Sequence, residues 1–381
     1  MKIAFKQNKR SEMDSNSLNG HGKVRSLQGL RLIAFLGICT GHCQVSKLGA
    51  WGVSVFFVLS GFVLTIRYYD DNSLSFTQSI IRAIKRVKKL YPLHVLMMFL
   101  AIVYICVLLN GTTRFIEVFS NLFLIQSWFP DMSIYFSLNG VSWFLSDILF
   151  LYMLFPCMIK TVKKMSSIRM VLPTALVAYA LEVLVCFFVN GVSYSLKDTV
   201  PDLLHWTVYI CPVMRGIDFF LGVCAGVFLI NLKKRPQYFV ASFVESITVI
   251  LIVISNCLYV KGIGVFAEEW FCNGVIYTPT SVFLCGIIYL NKGVLSTFLS
   301  GNAMVYLGNK TGYMFLIHSM VIAYAKTFLQ HIGLFNPIRL LIIVLPSSFV
   351  ATIIYEKIEK GMQMVICKML GSERQQQGKN G

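Results

Sequence analysis

The sequence predicts an all-α, polytopic membrane protein of about ten transmembrane helices with no soluble domain. Hydrophobic residues fill 56% of its 381 positions and charged residues only 13%, which would leave a soluble fold of this size without a charged surface. Apolar runs close to bilayer-spanning length recur from end to end, with short polar loops between them. The runs lack period-2 alternation, and lipid admits only helices or closed barrels, so helices are expected.

In order, the expected spans are 27–44, 51–68, 92–110, 142–159, 168–190, 213–231, 238–260, 271–290, 311–330 and 338–356. They divide the chain into a tail at 1–26, a membrane domain at 27–360 and a second tail at 361–381. The polar stretch before the first run lacks a small-residue cleavage pattern, so the first span is expected to remain.

The formal charge of +17 would suit a nucleic-acid partner if it were gathered on one face, but it falls in alternate loops. One set carries Lys2, Lys6, Lys9, Arg10, Lys23 and Arg25; Arg82, Lys85, Arg86, Lys88 and Lys89; Lys160, Lys163 and Lys164; Lys233, Lys234 and Arg235; and Lys357, Lys360, Lys368 and Arg374. The opposite set holds little beyond Lys47, Arg114, Lys197 and Lys261. The positive-inside rule then places both termini in the cytoplasm, in agreement with an even number of spans, and the protein in the cytoplasmic membrane. No nucleic acid is expected as a partner.

Trp51, Trp128, Trp143, Trp206 and Trp270 all fall at or near the expected outer boundary. They read either as an aromatic belt at the headgroups or as a platform for sugars. The eleven cysteines show no CxxC pairing and read as small apolar residues. Cys39, His42 and Cys43 share one stretch of helix, but no clustered partners stand elsewhere, so no metal site is expected.

The first span carries the chemistry. Arg31 and His42 stand eleven residues apart, which at about 100° per residue brings them to one face, roughly 16 Å apart along the axis. Ionisable groups in a span are costly and commonly line a cavity or path. A guanidinium suits phosphate, and an imidazole can act as general base or accept an acyl group. The spacing is comparable with an extended pantetheine arm. The plainer alternative is an arginine snorkelling to headgroups and a histidine bonded to a local carbonyl.

Further motifs stand around this pair. Ser26-Leu27-Gln28-Gly29-Leu30-Arg31 is followed by His42; Gly52-Val53-Ser54-Val55-Phe56-Phe57-Val58-Leu59-Ser60-Gly61-Phe62 forms the second span; and Arg82 and Arg86 lead to Lys89-Leu90-Tyr91-Pro92. Ser142-Trp143-Phe144-Leu145-Ser146 precedes Tyr152 and Pro156, Gly308 leads to Thr311, Phe315, Leu316 and His318, and Ile358-Glu359-Lys360 closes the set. In this order and spacing the chain resembles the acyltransferase-3 family of membrane O-acyltransferases over nearly its whole length.

The resemblance implies transfer of an acyl group, most commonly acetyl, from acyl-CoA to a hydroxyl of a surface glycan or lipid-linked saccharide. Acetyl-CoA would be a substrate, not a permanently bound cofactor. His42 would then be the catalytic imidazole, with Asp147 a candidate second catalytic group, and Arg31 would hold the donor's phosphates. From the residues themselves, Arg82, Arg86, Lys89 and His318 are further candidates toward the donor, the outer-boundary rings Trp51 and Trp143 are candidates toward a sugar acceptor, and Arg215 joins them because its depth places it near His42. Two departures stand out. Where the family commonly carries Glu five residues after the tryptophan, this chain has Ile148, with Asp147 one position earlier; either Asp147 substitutes or that carboxylate role is absent. Ser54 occupies a position usually held by Asp.

Several residues keep two readings. Arg82, Arg86 and Lys89 form one basic helix face, either for anionic lipid or as a second phosphate clamp. His318, expected nearer the cytosol, either lines the donor tunnel or packs a helix. Arg215 and Asp218 are spaced to pair with each other, and Ser60-Gly61 reads as a close helix contact. Glu182 and Glu245 are intramembrane carboxylates without evident partners. Together with His318 they would serve a transporter or flippase as a proton path, though no internal repeat supports that reading. A non-catalytic assembly partner of a glycan-synthesis complex is the third reading.

Overall fold

The computed structural model describes residues 24–71, 75–165, 168–196, 199–232 and 236–377. The basic residues of the first tail up to Lys23, together with Lys197 and Lys233 to Arg235, lie outside them. We number the principal helices α1 (Arg25–His42), α2 (Gly49–Tyr68), α3 (Phe76–Val103), α4 (Phe115–Leu122), α5 (Trp143–Lys164), α6 (Ile168–Leu196), α7 (Pro212–Ile230), α8 (Tyr238–Lys261), α9 (Thr278–Leu290), α10 (Val294–Leu299), α11 (Asn302–His331) and α12 (Pro337–Gln377). Among the described residues there is no strand.

Nine helical stretches among the described residues are long and apolar enough to cross a membrane, and they match the second to tenth expected spans. The first differs: Arg25, Gln28, Arg31 and His42 make α1 too polar to stand in lipid alone. It instead occupies the centre of the bundle, with Ser26, Leu27, Gln28, Gly29 and Leu30 all buried. Its polar groups find protein partners there, as Ser26 Oγ does on the Ile288 carbonyl at 2.8 Å. The third span also starts earlier than its apolar run: α3 begins at Phe76, and its amphipathic first half carries the basic face of Arg82, Arg86 and Lys89. At the other end, α12 runs on to Gln377, past the boundary read at 360.

Helices α1 and α11 lie side by side and parallel. Arg25 Nη2 donates to Asn302 Oδ1 at 2.6 Å at one end, and His42 meets His318 at the other. Seventeen residues on α1 thus match sixteen on α11. The approach is close because position 308 is glycine: a Cβ there would lie 1.9 Å from the Gln28 carbonyl oxygen. Gly61 and Gly222 make the same kind of seam between α2 and α7, where added Cβ atoms would fall 2.0 Å from the Phe219 and Val58 oxygens. Ser60 Oγ bonds back to the Phe56 carbonyl at 2.7 Å, in keeping with the packing reading of Ser60-Gly61.

Two expectations change on folding. Trp51 and Trp143 are 4% and 3% exposed, so these two are interior residues and not part of a headgroup belt, whereas Trp128 is exposed. Glu245 is partnered: its carboxylate accepts from the backbone N–H groups of Leu295 and Ser296 at 2.8 and 3.3 Å, capping α10. Large apolar residues left outward on α6 and α8, such as Phe187, Phe188, Phe239 and Phe243, form the faces suited to acyl chains.

Gly308→Ala is expected to lower stability by about 1–3 kcal/mol through overpacking of the α1–α11 seam. Gly191→Ala, where an added Cβ meets nothing within 4 Å, should remain within about 1 kcal/mol of wild type, on the stabilising side. Thermal unfolding of both variants in one detergent checks the contrast.

Candidate active site

His42 is the last residue of α1. The helix stops there because Gln44 takes a left-handed φ of 64°, which lets Val45 N–H close back on the Thr40 carbonyl at 2.9 Å. The Thr40 and Ser46 hydroxyls, 2.9 Å apart, pin the return toward α2. His318 lies in the middle of α11 and is fully buried, while His42 keeps accessible surface. This differs from the shallower position expected for His318: α11 starts level with Arg25, so His318 arrives at the depth of His42.

The two rings lie parallel within 2°, with His42 Nδ1 2.9 Å from His318 Nε2. His318 Nδ1 is 2.7 Å from the Phe315 carbonyl, which can only accept. For neutral rings this settles the protons. His318 carries hydrogen on Nδ1 and presents a bare Nε2; His42 must then donate from Nδ1, leaving its own Nε2 with a free lone pair. The more accessible imidazole is held in the tautomer a base or nucleophile needs.

The cations sit toward the Arg25 end. Arg31 Nη1 bonds Gln28 Oε1 at 2.9 Å and lies within electrostatic reach of Arg86 and Tyr152. Arg82 pairs with Asp71 at 3.0 Å. The guanidinium carbons of Arg82 and Arg86 stand 4.9 and 5.6 Å from the centroid of the Tyr68 ring, and Arg86 also stands 5.2 Å from that of Tyr152. A pocket opens among Tyr68, Ser79, Arg82, Arg86, Tyr152 and Phe155. Lys89 belongs elsewhere: its Nζ lies 5.5 Å from the Tyr313 ring, whose hydroxyl donates to Glu359 at 2.8 Å. Tyr68 was missed in the sequence because a tyrosine at the end of an apolar run looks like an interfacial anchor.

Between Arg31 and His42 the same face of α1 is filled. Phe35 and Ile38 are fully buried, and Phe35 stands edge-on to His318 at 5.4 Å. Beside this packing, Phe56, Ser60, Phe144 and Tyr152 keep accessible surface although α2 is an interior helix. Phe56, Phe144 and Phe315 contact one another at 5.3–6.0 Å, and Phe315 reaches His318 at 5.8 Å. An aromatic cluster of Phe56, Phe144 and Phe315 therefore lies against the paired histidines.

A second polar centre lies beyond Trp143, which packs on Tyr209 at 5.2 Å. Asp147 is fully buried beside Ser127 and within electrostatic reach of Arg215, and neither of its carboxylate oxygens completes a hydrogen bond. Arg215 pairs with Asp218 at 2.6 Å, as their spacing predicted, and also bonds Ser54 Oγ at 3.2 Å and the Val208 carbonyl. Trp51 stands apart, enclosed over Gly37 of α1. Asn139, which carried no signal in the sequence, donates to the Leu316 carbonyl at 3.0 Å beside the histidine pair and keeps a buried Oδ1 without a partner. Glu182, Glu245 and His318 have separate partners, Thr278, the α10 amides and His42, and do not form the proton path that a transporter reading requires.

This is a polytopic helical membrane protein with a hydrogen-bonded histidine pair at one end of α1 and a cluster of guanidinium groups toward the other. Residues 24–356 match the family model described as "Acyltransferase domain", and the chain belongs to that acyltransferase-3 family. It is similar to the acyltransferase MdmB of Streptomyces mycarofaciens, 27% identical over 79% of this chain and 80% of that protein. It is also similar to YrhL of Bacillus subtilis strain 168, named a candidate peptidoglycan O-acetyltransferase, 25% identical over 89% of this chain and 55% of the relative. A Staphylococcus aureus strain COL protein named a candidate O-acetyltransferase is 24% identical over 80% of this chain and 52% of its own length. The chain thus spans about half the length of the Bacillus and Staphylococcus relatives. No solved structure matches.

Nitrogen-15 labelling of histidine checks the proton assignment. At neutral pH, NMR of the full chain should show His42 and His318 each protonated at Nδ1 and bare at Nε2. His318→Ala should return His42 to a mixture of tautomers; an unchanged His42 signal would contradict the assignment.

Proposed function

We propose that the protein transfers an acetyl group from acetyl-CoA to a hydroxyl of a cell-surface glycan, with His42 Nε2 as the general base. The observation that carries this reading is the His42–His318 pair: a free lone pair on an accessible imidazole, fixed in place by a second ring whose own proton is committed to a carbonyl. As the acceptor hydroxyl attacks the thioester carbonyl carbon, His42 takes its proton, the C–S bond breaks, and the thiolate leaving group recovers a proton from the imidazolium. His318 positions the ring and accepts the Nδ1 hydrogen bond, which strengthens as His42 becomes charged.

The donor's phosphates suit Arg31, Arg82 and Arg86, and its adenine ring suits Tyr68 and Tyr152. Donor entry from the cytoplasm is supported by the basic loops at that end, which also support a cytoplasmic-membrane location with both ends of the chain inside. A surface glycan as acceptor is supported by the name of the Bacillus relative, and by the buried, unpartnered Asp147 and Asn139 atoms near the opposite side, which can accept hydrogen bonds from sugar hydroxyls.

With purified protein and labelled acetyl-CoA, His42→Ala is expected to reduce transfer by about 10²–10⁴-fold while the variant still inserts. Arg86→Ala should raise the donor KM by about tenfold or more with kcat largely kept, the loss of a charged contact to bound phosphate. Transfer retained by His42→Ala would refute the base assignment.

A further inference from the structure

We infer that Glu182 is a proton-binding site in the membrane interior: it holds a proton in the folded protein and donates it to Thr278, leaving Asp218 as the anion that pairs with Arg215. The acyl-transfer reading makes no use of this residue. Thr278 Oγ1 lies 2.9 Å from Glu182 Oε1 and 2.7 Å from Asp218 Oδ1, with the Asn273 carbonyl more distant at 3.5 Å. A threonine hydroxyl has one hydrogen to give. If both acids were ionised, one of the two short contacts would set lone pair against lone pair away from water. One carboxyl must therefore supply the second hydrogen.

The partners decide which. Asp218 Oδ2 receives Arg215 Nη1 at 2.6 Å and the Ser54 hydroxyl at 3.3 Å, and Asp218 Oδ1 receives Thr278. Among the described residues Glu182 has one hydrogen-bond partner, Thr278, and its Oε2 is buried with none. An ionised Glu182 would spread negative charge onto that bare oxygen, whereas a protonated one leaves there only a neutral carbonyl oxygen, at much lower cost. With the proton on Glu182 Oε1, each hydrogen is used once. Glu182 donates to Thr278, Thr278 to Asp218, and Arg215 to the same aspartate.

The titratable groups facing Glu182 are Asp218 and Arg215 from α7 and Tyr179 and Cys186 from its own helix; α9 offers Thr278. The one cation among them is already matched by Asp218. The bound proton makes the group of charges neutral as a whole, and α6, whose outer face is apolar and exposed, is tied to the bundle by an uncharged donor.

Infrared spectroscopy of the full chain in lipid nanodiscs at neutral pH tests this. The wild type should show the C=O stretch of a protonated carboxyl that is lost in Glu182→Gln. Glutamine keeps a donor toward Thr278, so this variant should fold and unfold at close to the wild-type temperature, whereas Asp218→Asn, which strips Arg215 of its anion, should show a large loss of folded protein. A carboxyl band unaffected by Glu182→Gln, collapse of that variant, or Asp218→Asn tolerated as well as Glu182→Gln would each overturn the assignment.

Discussion

How closely α1 can lie against α11 governs everything else in this molecule. With a side chain at position 308 the two backbones could not meet, and without that contact His318 Nε2 would not stand 2.9 Å from His42 Nδ1. The hydrogen bond matters for its direction more than its strength. An imidazole alone in a bundle has two tautomers of similar energy; this one has a single arrangement, imposed by the Phe315 carbonyl two bonds away. A helix too polar for lipid can be kept at the centre because neighbouring elements supply partners for its Ser26 and Arg25 side chains, while Arg31 and Gln28 bond each other.

Charge is distributed in step with that geometry. The guanidinium groups of Arg31, Arg82 and Arg86 gather near one end, softened by tyrosine faces and by Asp71. The histidine pair lies farther along α1, among Phe35, Phe56, Phe144 and Phe315, and among the described residues the two rings hydrogen-bond to each other and to the Phe315 carbonyl. On the far side of Trp143 stands a second set of charges, Arg215 paired with Asp218. In the proposed reaction this separation lets phosphates be held without quenching the base, and keeps proton transfer away from the structural ion pair.

The sequence was most informative where physics is local. Composition and run length gave the helical membrane fold, and the three-residue spacing gave the Arg215–Asp218 pair. The helical period put Arg31 and His42 on one side of α1, although Phe35 and Ile38 fill the face between them. What it could not show depends on register between distant helices. His318 looked shallower because its depth is set by where α11 starts, at Asn302 beside Arg25, and not by its place in an apolar run. Glu182 and Glu245 looked unpartnered because Thr278 and the α10 amides are roughly 50–100 positions away along the chain. Trp51 and Trp143 looked interfacial because hydropathy gives depth and not which way a ring faces. Ser54, the departure from the expected aspartate, is answered in space by Asp218, whose carboxylate sits 3.3 Å from the serine oxygen.

The most direct test of the account is the side from which the donor works. In sealed proteoliposomes with a single, verified orientation, labelled acetyl-CoA should support transfer only when supplied on the face carrying Arg25, Arg82 and Arg86. Equal transfer from the opposite face, or transfer from that face alone, would contradict the claim that a donor held among these cations reaches His42 through the protein.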